Sequence, residues 1–152
     1  MKNCAYKIID SAYHVAGRID ETFVQDMDGI PYFGEINFNL KNLISINSSG
    51  IRAWVILMQK MKTAYISLYE CPKAFIDQVN MVNGFIPNNA RIVSFYVPYY
   101  NEKNKTEKQV LFILGQDFKD SKLMSLKKVI DDQGEEMELD VIEAKYFKFL
   151  KN

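Results

Sequence analysis

Hydroxyls, carboxylates and amines carry nearly all the reactive chemistry in this sequence. Thiols and imidazoles are scarce: Cys4, Cys71 and His14. Two thiols and one imidazole cannot make a four-ligand structural zinc site without carboxylates. No metal or other cofactor is expected. A disulfide needs Cα atoms within about 7 Å, and a reducing compartment argues against one. His14 lies between Tyr13 and Val15 with no nucleophile or orienting carboxylate placed beside it. It reads as a polar residue on a strand face rather than a general base. A phosphate-binding Gly loop, metal-ligand spacing and a nucleophile–base pair are all missing, so catalysis is not expected.

Three polar clusters remain. Asn47-Ser48-Ser49-Gly50 is a run of turn and cap residues ahead of an apolar stretch. There Ser48 or Ser49 can accept a hydrogen bond from the exposed amides of a helix start. Seven acids between Asp131 and Glu143 lack the spacing of a calcium loop and read as a solvated face. Lys103, Lys105 and Lys108 stand near Tyr99 and Tyr100, a mix that suits single-stranded nucleic acid. Glu102 and Glu107 dilute it.

Elements must position these groups. Ala5 to Asp10 and Tyr13 to Ile19 read as strands, the second closing at Gly17-Arg18-Ile19-Asp20. A strand is expected over Gly34 to Asn39, with an edge from Leu43 to Ile46. After Gly50 the apolar period becomes helical: Ile51, Trp54, Val55, Met58 and Met61 share a face. Trp54 belongs to the core by that period, while Arg52 projects beside the turn. Ala64 to Glu70 is strand-like. Pro72 opens a second helix with Phe75, Ile76, Val79 and Val82 inward, and Asn83-Gly84 ends it. Arg91 to Tyr100 reads as one more strand, Asn101 to Lys108 as a loop, and Ala144 to Leu150 as a terminal helix. Strand, helix, strand, helix, strand predicts an α/β layer with parallel neighbours and right-handed crossovers.

The segment Leu43-Ile44-Ser45-Ile46-Asn47-Ser48-Ser49-Gly50-Ile51-Arg52 resembles the central signature of STAS domains. That family includes anti-sigma factor antagonists and the cytosolic domains of sulfate transporters. Gly17-Arg18-Ile19-Asp20 resembles its earlier strand end, and the likeness covers residues 5 to 97. It implies a STAS-like mixed sheet with helices packed on it. It also implies a non-enzymatic protein-interaction module in bacterial signalling, whose partner is a kinase, an anti-sigma-like protein or another signalling protein. In partner-switching members the second serine of the turn is phosphorylated, which here is Ser49. Ser48, Asn47, Asp20 and Arg52 would complete that surface. Phosphate suits a helix N-terminus and adds roughly −1.5 to −2 charge to a binding face. Asn47 stands where the family has Asp, which weakens kinase recognition. The competing reading is that Ser48 and Ser49 only cap a helix.

Composition frames the rest. The 152 residues carry 19 basic and 19 acidic side chains, for a net charge of +0, with 48% hydrophobic residues. A folded core is expected. Neutrality removes the generic electrostatic case for nucleic acid but not a local patch. No run of about 18 apolar residues could span a membrane, and Met1 to Asp10 lacks a signal pattern, so a cytoplasmic protein is expected. Self-association into a homodimer stays open. The length divides into a STAS-like domain, 1–100, and an appendage, 101–152, too small to fold alone. The appendage is β-rich, ends in a short helix, and resembles a zinc ribbon without its ligands. Asn101, Asn104, Ile130 and Gln133 occupy the four ligand positions, so hydrogen bonds and packing must replace the metal. The alternative is an unrelated hairpin. A second functional reading is a nucleic-acid-binding accessory protein using this tail. The tail is basic over 101–128 and acidic after it, so its halves can pair with each other or with another chain.

Overall fold

The computed structural model describes residues 3–151. It is a mixed α/β fold with two sheets. The first comprises β1 (Cys4–Ile9), β2 (Ala12–Ile19), β3 (Phe33–Ile46), β4 (Thr63–Tyr69) and β5 (Ala90–Ile92), in that spatial order. β1 and β2 form an antiparallel hairpin; each later neighbour is parallel. The connecting helices are α1 (Phe23–Asp26), α2 (Ser48–Lys60) and α3 (Lys73–Met81). Each parallel step moves the same way across the sheet, so right-handed crossovers put all three helices on one face. Burial agrees. Ile36, Phe38 and Leu40 of β3 and Ala64, Ile66 and Leu68 of β4 are buried, while Glu35 just before the first set and Tyr65 within the second are exposed.

Trp54 organises that covered face. Its ring stacks between Phe23 and Phe85 and meets Phe75 edge-on at 5.0 Å. Its Nε1 donates to the Phe85 carbonyl at 2.9 Å, which satisfies the one polar atom of a fully buried side chain. One residue thereby ties α1, α2, α3 and the loop after α3. Truncating such a ring costs about 3–5 kcal/mol.

Two expected strands are differently built. The strand over Gly34 to Asn39 and the edge from Leu43 to Ile46 are one 14-residue strand, β3. Its first half pairs with β4 and its second with β2, so polar Asn39, Lys41 and Asn42 do not end it. A bulge opposite His14 and Ala16 absorbs the change in register. Arg91 to Tyr100 is not one strand but two: β5 and then β6 (Ser94–Asn101). The break is Val93. Its N–H donates to the Leu68 carbonyl in the first sheet, and its own carbonyl accepts from Leu114 beside the second.

The second sheet contains β6, β7 (Thr106–Ile113), β10 (Val129–Ile130) and β11 (Glu136–Leu139), ordered β10-β11-β6-β7 and antiparallel. The expected loop at Asn101 to Lys108 is a tight hairpin. A small ribbon, β8 (Phe118–Lys119) with β9 (Lys122–Leu123), precedes β10. The chain closes with α4 (Glu143–Tyr146) and a 3-10 turn, Phe147–Lys151. Phe95 centres this core, with Phe112, Phe118, Phe147 and Phe149 around it. The tail is fastened to α3: Asn80 donates to the Tyr146 carbonyl and accepts from the Phe149 amide, both at 2.9 Å.

The tightest backbone approach lies at Gly50. A Cβ there would sit 2.6 Å from the Ile19 carbonyl carbon and nearer still to its oxygen. Both are backbone atoms that cannot swing aside. Gly50→Ala should therefore destabilise the protein by about 1–3 kcal/mol. Urea unfolding of the two proteins measures this; a difference below about 0.5 kcal/mol would mean that α2 and β2 are not so closely seated.

Candidate functional site

The turn at the start of α2 is built by Asn47. Its backbone is extended (φ −90°, ψ 178°) and its side-chain oxygen accepts from the Gly50 amide at 2.7 Å. Asn47 is therefore the N-cap, where Ser48 or Ser49 was expected. Those serines are instead the first two residues of the helix, and both are exposed. Their own amides precede the first intrahelical acceptor. The Asn47 amide donates to the Ile19 carbonyl at 3.2 Å, which docks the turn on the end of β2. Arg52 is exposed one turn along, while Trp54 turns inward.

Asp20 comes close through its backbone: its amide nitrogen lies 3.1 Å from the position of a Gly50 Cβ. Its carboxylate is engaged elsewhere. It accepts from Thr22 Oγ1 at 2.7 Å, the Thr22 amide at 2.9 Å and Asn3 Nδ2 at 2.5 Å. The Thr22 hydroxyl, the Thr22 amide and Asn3 together hold the carboxyl below the usual carboxylate range. Thr22 Oγ1 also reaches Asp26 at 2.9 Å, so Asp20 shapes the short turn into α1. The structure thus brings Asn47, Ser48, Ser49 and the Asp20 backbone together. It turns the Asp20 carboxylate to a structural task.

His14 lies on β2 opposite Asn39, in line with the strand reading. Asn39 and Tyr96 both donate to the Glu70 carboxylate, the latter at 2.7 Å. Burial pushes the Glu70 carboxyl up, but these donors and the Lys41 charge outweigh it and leave it below the ordinary value. Cys4 and Cys71 are free and buried. Burial raises both thiols, Cys4 to about 12, which leaves little thiolate for chemistry.

In the tail, a residue outside the four ligand positions is the hub. Asp131 is buried, and its carboxylate accepts from Asn104 Nδ2 at 2.8 Å, Thr106 Oγ1 at 3.2 Å and Asn101 Nδ2 at 3.3 Å. It also accepts from the Gln133 and Glu135 amides at 2.9 and 3.0 Å. So Asn101, Asn104 and the Gln133 backbone do meet, around a carboxylate. Ile130 joins only through its carbonyl, which accepts from Lys108 Nζ at 2.8 Å. Asp131 was hidden in an acidic run. The usable signal was Asp131-Asp132-Gln133-Gly134, an Asp opening a turn that a Gly closes, and the Gly134 amide indeed donates to the Asp131 carbonyl at 3.0 Å.

Two ion pairs join the tail's basic and acidic halves, Lys103 with Glu135 and Lys108 with Asp132, while Lys127 pairs with Asp117 inside the first half. Two of the three lysines expected to face nucleic acid are thereby engaged. Among the described residues, no cluster of His, Cys, Asp and Glu could hold a metal ion, and no helix is long and apolar enough to cross a membrane. The chain matches no protein-family model, no curated protein and no solved structure.

Two outcomes follow from these geometries. Asn47→Ala should cost about 1 kcal/mol by loss of the cap, and Asn47→Asp should restore it; equal stability of all three proteins in urea would disprove the cap. The Asn104 amide above all holds the Asp131 carboxyl below its ordinary value, against the upward pull of burial, with the Glu135 and Gln133 amides and Thr106 adding to it. Its contribution is complete above the unfolded value of about 3.9 and is lost as pH falls through the lower folded value. The stability gap between the natural protein and Asp131→Asn should hence be widest near neutrality and close below about pH 4. Parallel stability curves from pH 7 to pH 2 would show that this carboxylate is not the joint.

Proposed function

We propose that this protein is a STAS-like, non-enzymatic protein-interaction module in bacterial regulation, switched by phosphorylation of Ser49. The observation that carries this reading is the setting of Ser49. It is exposed in the first turn of a 13-residue helix, on a turn whose backbone is seated by Asn47 and Gly50. Phosphate on Ser49 would sit by the amides of Ser48 and Ser49 and at the positive end of the helix dipole. The new charge would alter a partner's docking face while the fold beneath stayed put, since Gly50 and Trp54 hold α2 independently. Ser48 and Arg52 would flank the contact. The order of strands and helices through β5, with the Gly17–Asp20 and Asn47–Gly50 segments adjoining, supports the family resemblance.

The partner of such a surface would be a protein: a kinase, an anti-sigma-like regulator or another cytoplasmic signalling protein. Asn47 keeps the cap as an amide, so the turn carries no fixed negative charge before phosphorylation. Phosphate would then be the dominant local charge.

The proposal is tested by affinity purification from the native cell with natural, Ser49→Ala and Ser49→Asp proteins. Mass spectrometry should find phosphate on Ser49, and Ser49→Asp should change recovery of a specific partner at least about ten-fold relative to Ser49→Ala, about 1.4 kcal/mol of binding. If both variants recover the same partners equally and Ser49 carries no phosphate, its hydroxyl has no switching role.

A further inference from the structure

The face of the first sheet opposite the helices is uncovered, and we propose that it binds single-stranded nucleic acid. It is separate from the α2 turn, and this inference does not rest on that site.

Charge is the first observation. Exposed Lys7, Arg18 and Arg91 point from β1, β2 and β5 onto this face, and exposed Lys41 marks the β3 bulge at its rim. Among the described residues none of the four forms an ion pair; the pairs that exist are Lys73–Asp77 and the three in the tail. Glu35 is the sole carboxylate among the outward side chains of the five strands. Glu70, just past β4, is a second carboxylate beside this face; it accepts from Asn39 and Tyr96, and the Lys41 charge acts on it. In a chain of zero net charge, four cations thus share one surface with two carboxylates, and none of the four is in an ion pair. From β1 to β5 they span four inter-strand steps, about 19 Å.

Aromatic exposure is the second. Tyr65 is 75% and Phe33 71% exposed, and they are diagonal neighbours on β4 and β3. Tyr69 lies further along β4 on the same face, half-buried. A depression of about 570 Å³ runs beside them, lined by Glu35, Asn37, Tyr65, Tyr69, Asn88 and Arg91, with the carboxylate and the guanidinium both on its wall. Arg91 Nε donates to Ser67 Oγ at 3.3 Å, which directs the guanidinium over β4. Exposed rings offer every base a π-face, and neighbouring cations track its phosphates. Asn and Ser amides and hydroxyls supply adaptable contacts to base edges.

Charge complementarity selects this occupant. A second copy of the chain would bring the same unpaired cations against themselves. A duplex keeps its bases stacked inside, out of reach of Tyr65 and Phe33.

The test is fluorescence anisotropy with a labelled 12-nucleotide single-stranded RNA of mixed sequence. Saturable binding is expected at 50 mM salt. Four phosphate contacts on a single strand give a slope near −2.8, or about 50-fold weaker binding at 200 mM. Tyr65→Ala should weaken binding about ten-fold, and Lys41→Glu combined with Arg91→Glu should abolish it. All three substitutions are at surface positions, and unchanged thermal unfolding confirms the fold. Lys103→Glu with Lys105→Glu, in the tail, should leave binding intact. Lack of saturable binding at 50 mM salt, equal affinity for a duplex, or loss only in the tail variant overturns the proposal. So does self-association of the protein that Tyr65→Ala abolishes, or an acidic protein that this face binds while RNA does not.

Discussion

The close seating of α2 on β2 governs how the first sheet and its helices fit together. With only a hydrogen on Gly50, the helix start can press against the Ile19 carbonyl, and Asn47 closes the gap with its own amide. This places the helix axis low over the sheet. Trp54, one turn on, then reaches the space between Phe23 and Phe85. A larger residue at position 50 would lift the helix and leave that ring without its layers. The same contact fixes where Ser48 and Ser49 stand, so the packing constraint and the candidate surface have one origin.

The second constraint is the peptide at Val93. Its two polar groups serve two different sheets, and the neighbouring Cys71 exchanges backbone bonds with Ser94 and Tyr96. β6 therefore cannot slide without breaking bonds in both halves. Phe95 follows at once and gathers rings from β7, β8 and the final turn. Asn80 then fastens the chain end to α3. The second sheet is thus joined to the first through β6, a strand that crosses the expected boundary at residue 100.

Much of the layer was legible because it rests on local periodicity. Ile51, Trp54, Val55 and Met58 announce α2, and Pro72 with Gly84 brackets α3. The choice of N-cap was not legible, because Asn and Ser rank alike as caps and only the backbone angles distinguish them. The continuity of β3 and the break at Val93 depend on which strands lie alongside, a non-local fact that no window of sequence contains. The short α1 went unseen for a similar reason: its turn is set by Asp20 reaching Thr22 and Asn3. Asp131 was masked by acidic neighbours that really are solvent-facing, such as Asp132 and Glu136. Likewise the open face of the first sheet has no motif. Its cations come from four strands and meet only once the strands align.

The joint around Asp131 sets what can undo the tail. A thiolate–metal centre is vulnerable to chelation, to metal starvation and to oxidants. A carboxylate ringed by two amide side chains, a hydroxyl and two backbone amides shares none of those weaknesses. It assembles from the chain alone, without delivery of an ion and whatever the redox state of the surroundings. Its vulnerability is to slow deamidation of Asn101 or Asn104, which would set a second carboxylate against the first. The tail's joint thus depends on the age of the polypeptide and not on the supply of an ion.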